Sequence, residues 1–195
     1  MTHDAVLLAA GGSRRLGRAK QLLTRQGVPL VRYVADLLLQ TQPARLVVIT
    51  GGSTEAVEET LQDLPLEVCR NLNWETGMAT SLQCAARTLK DTQKPILIAG
   101  TDQPRLILDH LTRLRDAPPN LNVVSQYTLK AGGIPVRITP ETLAQAFDLE
   151  GDKGFRDLWK NTPPLRIEAP DLLEDLDTPT QLADAVKAGW IEPPR

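Results

Sequence analysis

The apolar positions of the chain fall in short unbroken runs, separated by stretches in which they recur at helical spacing. Ala5-Val6-Leu7-Leu8-Ala9-Ala10 is one such run, and residues 45–50 and 95–99 are two more. A continuous apolar run of this length is the pattern of a strand buried on both faces. Between the first two runs, Leu30, Val31, Val34, Leu37 and Leu38 mark one face of a helix, with Pro29 suited to its first turn. The same reading predicts helices over 53–61, 77–89, 105–115, 140–147, 154–160 and 179–188, and shorter strands over 66–69, 123–127 and 134–138. Unbroken apolar strands alternating with helices imply an α/β fold with a mostly parallel central sheet covered on both faces. Pro118-Pro119 and Pro163-Pro164 read as turns, and no linker or repeat interrupts the chain. Residues 1–195 are therefore expected to form a single domain.

Composition narrows the function classes. Apolar residues make up 42% of the 195 and charged residues 24%, which argues against global disorder. The net charge of −2 argues against a protein that coats nucleic acid. No apolar run approaches the roughly 20 residues that span a bilayer. The opening Met1-Thr2-His3-Asp4 lacks the basic start and apolar stretch of a signal peptide. Cys69 and Cys84 have no metal-site spacing and read as reduced core thiols, so a cytoplasmic location is expected. The charge is unevenly spread. Residues 5–54 carry seven bases against one acid, Asp36, whereas residues 167–186 carry six acids and no base.

Two segments sit where such sheets bind ligands, at the carboxyl ends of strands. The first, Gly11 to Lys20, joins glycines to Arg14, Arg15, Arg18 and Lys20. Glycines bring backbone N–H groups close to a ligand, and Arg and Lys add full charges matched to phosphate oxygens. It matches neither G-x-G-x-x-G, because Gly11 and Gly12 are adjacent, nor the P-loop, because Arg18-Ala19 follows Gly17. A solvated basic turn is the plain alternative. The second segment is Thr101-Asp102-Gln103-Pro104. A carboxylate just past a buried strand suits Mg²⁺, which takes one or two carboxylates plus substrate phosphates. The plain alternative for Asp102 is a helix N-cap. Trp74 and Met78 read as packing residues. Arg137, inside an apolar strand, is expected at a sheet edge or against an acid, because a buried unpaired charge is costly.

Together these segments resemble the molybdopterin nucleotidyltransferase family, and more closely its molybdenum cofactor cytidylyltransferase branch. Leu8 to Lys20 follows the family's L-A-A-G-x-S-x-R-M-G-x-x-K, with Leu16 in place of methionine. Asn71 to Leu82 follows N-x-x-W-x-x-G-M-x-x-S-L, and Asp102-Gln103-Pro104 is D-Q-P. Gly151 to Arg156 follows G-D-K-G-A-R with Phe155 in place of the small residue, and Asp175 to Pro179 follows D-x-D-T-P. The blocks stand in family order over nearly the whole chain.

The resemblance implies a Rossmann-like three-layer nucleotidyltransferase fold. It also implies transfer of CMP from CTP to the phosphate of a molybdopterin-type acceptor, with release of pyrophosphate, in the maturation of molybdenum hydroxylases. On this reading Arg15, Lys20 and Asp102 are catalytic, with Arg15 and Lys20 on the β- and γ-phosphates. Mg²⁺ would be held by Asp102 and, as a second contact, Asp177; a capping role is the alternative for Asp177. Ala9, Ala10, Gly11, Gly12, Ser13, Asn71 and Ser81 would bind the nucleotide, and Asp152, Lys153 and Arg156 would face the acceptor. Arg14 and Arg18 would give electrostatic support. The expected partners are the nucleoside triphosphate, the acceptor and a molybdenum hydroxylase apoenzyme, with no nucleic acid and no membrane. GTP or another phosphate acceptor, or a non-catalytic molybdopterin carrier, are the alternatives.

Overall fold

A computed structural model describes residues 2–154, 156, 159 and 163–194. Seven strands form one sheet, in the order β5 (Glu67–Arg70), β4 (Leu46–Thr50), β1 (Asp4–Ala9), β6 (Ile96–Gly100), β8 (Gly132–Ile138), β7 (Val123–Gln126) and β9 (Leu165–Glu168). Of these only β8 runs against its neighbours, so the mostly parallel sheet expected from the apolar runs is the one that forms.

Side chains alternate between the two faces, as the pleat requires. Ala5, Leu7 and Ala9 of β1 pack with helix α1 (Leu30–Gln40) and helix α4 (Leu108–Asp116), together with Val57 of α2 (Thr54–Glu59). Val6, Val47 and Ile98 pack on the other face with α3 (Met78–Thr88) and α5 (Pro140–Ala144). Helix α6 (Pro179–Lys187) closes a third cluster, in which Leu182 and Ala185 meet Leu16, Leu23 and Leu30. That cluster draws the acidic end of the chain onto the loop that follows β1.

The chain steps from β1 through α1 to β4 on one side, whereas β6 pairs with β1 on the other. Leu8 is thus level with Ile49 and with Gly100, and the loops leaving β1 and β6 start side by side. This is the switch point at which an open α/β sheet leaves a crevice.

Four features depart from the sequence reading. Helix α4 begins at Leu108 rather than near Arg105, with extended Ile107 before it. A turn closed by Leu106 N–H on the Gln103 carbonyl, with Leu106 sunk in the core, first carries the chain across the strand end. Asp102 is therefore not an N-cap. Arg137 lies neither at an edge nor against an acid. It is 0% exposed on the interior strand β8. Its guanidinium donates to the carbonyls of Ala117 (2.9 Å), Leu121 (2.8 Å) and Pro118 at the end of α4. These carbonyls belong to the turn that follows α4, and the fixed dipoles of three convergent carbonyls offset the buried charge. Cys69 is half-buried on the edge strand β5, so only Cys84 is a core thiol; both are free. Residues 24–29 form a small hairpin of β2 (Thr24–Arg25) and β3 (Val28–Pro29), turned by Gln26 and Gly27 at positive φ.

The helix expected over 154–160, including Phe155, falls largely outside the described residues. Among the described residues no helix is long and apolar enough to cross a membrane.

Candidate functional site

The loop after β1 is held from beneath by Gln21, which is 0% exposed. Its amide donates to the carbonyls of Ala9 (3.0 Å) and Gly11 (2.6 Å), and Ser13 Oγ donates to its Oε1 at 3.5 Å. Ser13, at φ 48°, turns the chain and accepts Lys20 N–H on its hydroxyl at 3.1 Å. Gly12 lies against the Trp74 ring: a Cβ there would come within 2.3 Å of it. Gly52 rests on Gly12 in turn, where a Cβ would stand 2.8 Å from the Gly12 Cα. The Trp74 block therefore supports the glycine loop from below, and Arg14 lies over the same ring, paired with Glu75. Trp74 packs against the core, as expected, and is also half-exposed in the lining of the groove described below.

Lys20 leaves this loop and sits between two carboxylates from distant parts of the chain. Its Nζ donates to Asp102 at 3.2 Å and to Asp177 at 2.8 Å, with its side chain 13% exposed. Arg15 reaches the other oxygen of Asp177 at 2.7 Å. Burial pulls the Lys20 pKa down, but Asp102 and Asp177 outweigh it, and the ammonium is held above its usual value. Burial likewise works against the Asp177 carboxylate, yet Lys20 and Arg15 bring its pKa below the usual range. The neighbouring cap role belongs to Thr178, whose hydroxyl accepts Gln181 N–H at the start of α6. Asp177 is left for the cations. Asp175 is pushed up to about 7, first by burial and then by the charges of Asp102 and Asp177.

Arg15, Lys20, Asp102 and Asp177 line a groove compartment of about 390 Å³ together with Ala10, Gly11, Gly12 and Ser13. It adjoins a second compartment of about 350 Å³ along Leu8, Met78, Ile134 and Asp152, which line both. Asp152, Lys153 and Arg156 line the second, beside the apolar Leu82, Ile98 and Val136. Their loop is docked on α3: Ala79 N–H donates to the Gly151 carbonyl at 3.0 Å. Gly77, at φ 116°, makes room, since a Cβ there would stand 2.3 Å from the Gly151 backbone.

Arg15, Lys20, Asp102, Asp177, Ala10, Gly11, Gly12, Ser13 and Ser81 are thus brought to one compartment. Two expected contacts are not among its lining. Ala9 is buried, with its carbonyl taken by Gln21. Asn71 is 3% exposed, and its amide donates inward to Thr80 (2.9 Å) and Ser81 (3.0 Å) while Asn73 N–H donates to its Oδ1. Asn71 organises the turn that presents Ser81, and its own hydrogen-bonding groups are occupied. Met78 is 40% exposed at the junction of the compartments, not packed in the core. Arg18 is exposed and lines neither compartment.

Three residues were not singled out in the sequence. Gln21 ties the glycine loop. Tyr127 donates to the Ile134 carbonyl and accepts from Gln103 at 3.0 Å, which joins the D-Q-P loop to the wall of the second compartment. Asp175, two residues before Asp177, completes the acidic group. Only the D-x-D spacing hinted at Asp175. Nothing local marks Gln21 or Tyr127.

A glycine loop, paired cations and two carboxylates thus converge at the switch point. A MobA-like NTP transferase domain model matches residues 5–166. The chain is 30% identical over 190 residues to a protein of Paenarthrobacter nicotinovorans named nicotine blue oxidoreductase, covering 91% of this chain and 93% of that one. A nucleotidyl transferase from Methanothermobacter superposes with a TM-score of 0.83 at 22% identity, covering 96% of this chain and 97% of the other. A Mycobacterium tuberculosis protein solved in complex with manganese superposes with a TM-score of 0.78 at 23% identity, covering 96% and 98%. These two structures share the fold, and the domain match over most of the length carries the assignment: the chain belongs to the MobA-like NTP transferase family of nucleotidyltransferases.

Proposed function

We propose that the protein transfers CMP from CTP to the phosphate of a molybdopterin-type acceptor and releases pyrophosphate, acting as one domain in the cytoplasm. The observation that carries this is Lys20 bracketed by Asp102 and Asp177 in the first of two adjoining compartments. The first compartment has the cations and backbone turns for a triphosphate. The second has the length and the apolar wall for an acceptor. The CTP preference rests on the resemblance of Leu8-Ala9-Ala10-Gly11 to the cytidine-using branch.

The donor set fits a hard divalent cation. Two carboxylates already share one cationic centre, and no cluster of three or more His, Cys, Asp or Glu ligands stands ready among the described residues. Mg²⁺ is commonly held in this way, by one or two carboxylates plus substrate phosphates. Asp102 and Asp177 would hold it, and when bound it would polarise the phosphates and offset their charge. A Mycobacterium tuberculosis structure of the same fold contains manganese, which supports divalent metal use. In the free protein Arg15 and Lys20 are neutralised by the carboxylates. A triphosphate would take over these cations, which then stabilise the charge of the departing pyrophosphate. No protein nucleophile is needed, because positioning and charge neutralisation suffice for this class of transfer. Ser13, Ala10 and Gly12 orient the nucleotide, and Asp152, Lys153 and Arg156 orient the acceptor.

The test is pyrophosphate release with purified molybdenum cofactor, each of the four NTPs, and Mg²⁺ or Mn²⁺. Turnover is expected with CTP. Turnover with GTP alone would overturn the base assignment, and none with any combination would leave the carrier role. The name of the Paenarthrobacter nicotinovorans relative, nicotine blue oxidoreductase, supports a second reading, a redox reaction on a small molecule. NAD(P)H oxidation in the absence of any NTP would establish that reading.

A further inference from the structure

Asp102 enters the first compartment, whereas its neighbour Gln103 is 3% exposed and lines neither compartment. A buried amide has donors to satisfy. Gln103 Nε2 donates to the Leu172 carbonyl at 2.9 Å and to the Tyr127 hydroxyl at 3.0 Å. The first bond reaches the segment that carries Asp177. Leu172 ends a single 3₁₀ turn, Pro170–Leu172, and Asp177 follows a few residues later. Between them a second link forms: Leu176 N–H donates to the Asp102 carbonyl at 2.9 Å. The segment is thus hung from the D-Q-P loop twice, at Leu172 by the Gln103 side chain and at Leu176 by the Asp102 backbone. Leu172 and Leu176 are buried in different apolar clusters, the first against α1 and α4, the second against α6. The two polar links refer both ends of the segment to Asp102.

The second bond of Gln103 leads back to the site from the other side. Tyr127 passes the link on by donating to the Ile134 carbonyl. Burial pushes the Tyr127 phenol up, so it keeps the proton that it donates. Gly133 makes room for it, since a Cβ there would stand 2.9 Å from the phenol oxygen. Ile134 lines both compartments. A Cβ on Gly100 would lie 2.8 Å from Asp102 Oδ1 and 3.5 Å from Ile134 Cδ1, so the carboxylate and the Ile134 side chain meet above Gly100. Asp102 is bounded by Ile134 on one side and faces Asp177 across Lys20 on the other. Through its two bonds Gln103 is connected to both boundaries.

We propose that Gln103, with Tyr127 as its relay, is a positioning residue that sets the spacing of Asp102 and Asp177 and thereby the affinity of the site for a divalent cation. The proposal rests on the reading of Asp102 and Asp177 as the ligands of that cation. Two carboxylates repel each other, and in the free protein Lys20 offsets the repulsion. Mg²⁺ demands near-octahedral geometry with oxygens at about 2.0–2.1 Å. Ligands from two distant segments meet that demand only if their separation is held. Residues that orient metal ligands from behind are commonly worth about 10–100-fold in metal affinity or activity. Gln103 has the place for this role: it is adjacent to one carboxylate in the chain and bonded to the backbone that carries the other.

The test uses two variants and needs no turnover. Gln103→Met keeps the volume and removes both donors, and Tyr127→Phe removes only the relay hydroxyl. Each is titrated with Mn²⁺ in the presence of CTP and without acceptor, with protein-bound metal read by electron paramagnetic resonance and folding followed by the urea midpoint. Gln103→Met is expected to raise the Kd for Mn²⁺ by roughly tenfold or more, and Tyr127→Phe by a smaller factor in the same direction. If Gln103→Met does not fold, Tyr127→Phe decides. A lower urea midpoint with the Mn²⁺ affinity of the folded protein unchanged in both variants overturns the proposal, because a purely structural role predicts that result. Asp102→Asn separates the proposal from the reading beneath it. If Asp102→Asn loses Mn²⁺ binding while Gln103→Met and Tyr127→Phe retain it in full, the positioning role fails and the ligand reading stands. If Asp102→Asn binds Mn²⁺ like the wild type, or the wild type binds none, the ligand reading fails and the proposal falls with it.

Discussion

Single residues set the chemistry here through the partners they are given. Lys20 is charged and largely buried because Asp102 and Asp177 flank it. Asp102→Asn is expected to remove at least about 100-fold from metal-dependent pyrophosphate release, since it deletes a ligand and a partner of Lys20. A near wild-type rate would dismiss Asp102 as a metal contact. Arg137 shows the opposite use of a cation, with no chemistry and several carbonyls to satisfy. Arg137→Leu leaves the Ala117 and Leu121 carbonyls without the guanidinium donor and should destabilise the protein by about 3 kcal/mol, read from the urea midpoint. The motif blocks made Lys20 and Asp102 legible in the sequence. They could not reveal Gln21 or the inward-turned Asn71, because a side chain's partners depend on which backbone groups the fold leaves unpaired.

Elements are positioned by a few close approaches. The N-terminus of α3 meets the 151–154 loop only because residue 77 has no side chain and adopts φ 116°. Gly77→Ala is expected to separate them and to lower the affinity for acceptor before that for nucleotide, measured as separate KM values. Helix α4 is joined to β7 through His110, whose Nε2 lies 2.7 Å from Ser125 Oγ. Ser125 donates its own proton to the Pro135 carbonyl, so Nε2 carries the imidazole hydrogen. Burial, and then Arg113, lowers the His110 pKa from 6.5 to about 4. Its folded pKa is thus below its unfolded one. The imidazole's contribution is complete above about pH 6.5 and falls away as pH drops toward 4, by at most about 3 kcal/mol. Asp175, raised to about 7, acts in the opposite sense over part of that range. The measurement is therefore the difference between wild type and His110→Gln in stability from pH 4 to 7. A difference independent of pH would refute the assignment. The apolar runs and helical spacing announced most of these elements. The edge strand β9 escaped, because Leu165 and Arg166 are exposed and only the paired β7 makes the segment a strand.

At the scale of the molecule, the groove crosses the sheet from the parallel side, where the glycine loop lies, to the side built on the reversed strand β8. Nucleotide and acceptor affinities are then expected to be separable. CTP with Mg²⁺ should raise the melting temperature, by the equivalent of about 2.7 kcal/mol at a hundredfold excess over Kd. Arg156→Gln should keep that shift and Lys20→Ala should lose it; the reverse pattern would mean that the compartments are wrongly assigned. The near-neutral charge also resolves at this scale: the basic start and the acidic end meet as Arg15 and Lys20 against Asp177. The sequence by itself determined the layered α/β class, the mostly parallel sheet, the glycine and carboxylate segments and the family likeness. These depend on local periodicity and on residue types at short spacing. Only the tertiary structure decided that Asp177 rather than a helix cap completes the Lys20 site, that Arg137 is sunk among carbonyls, and that Gln103 ties the Asp177 segment to the loop of Asp102. Each of those depends on strand order and register, which bring together residues far apart in the chain and which no local pattern encodes.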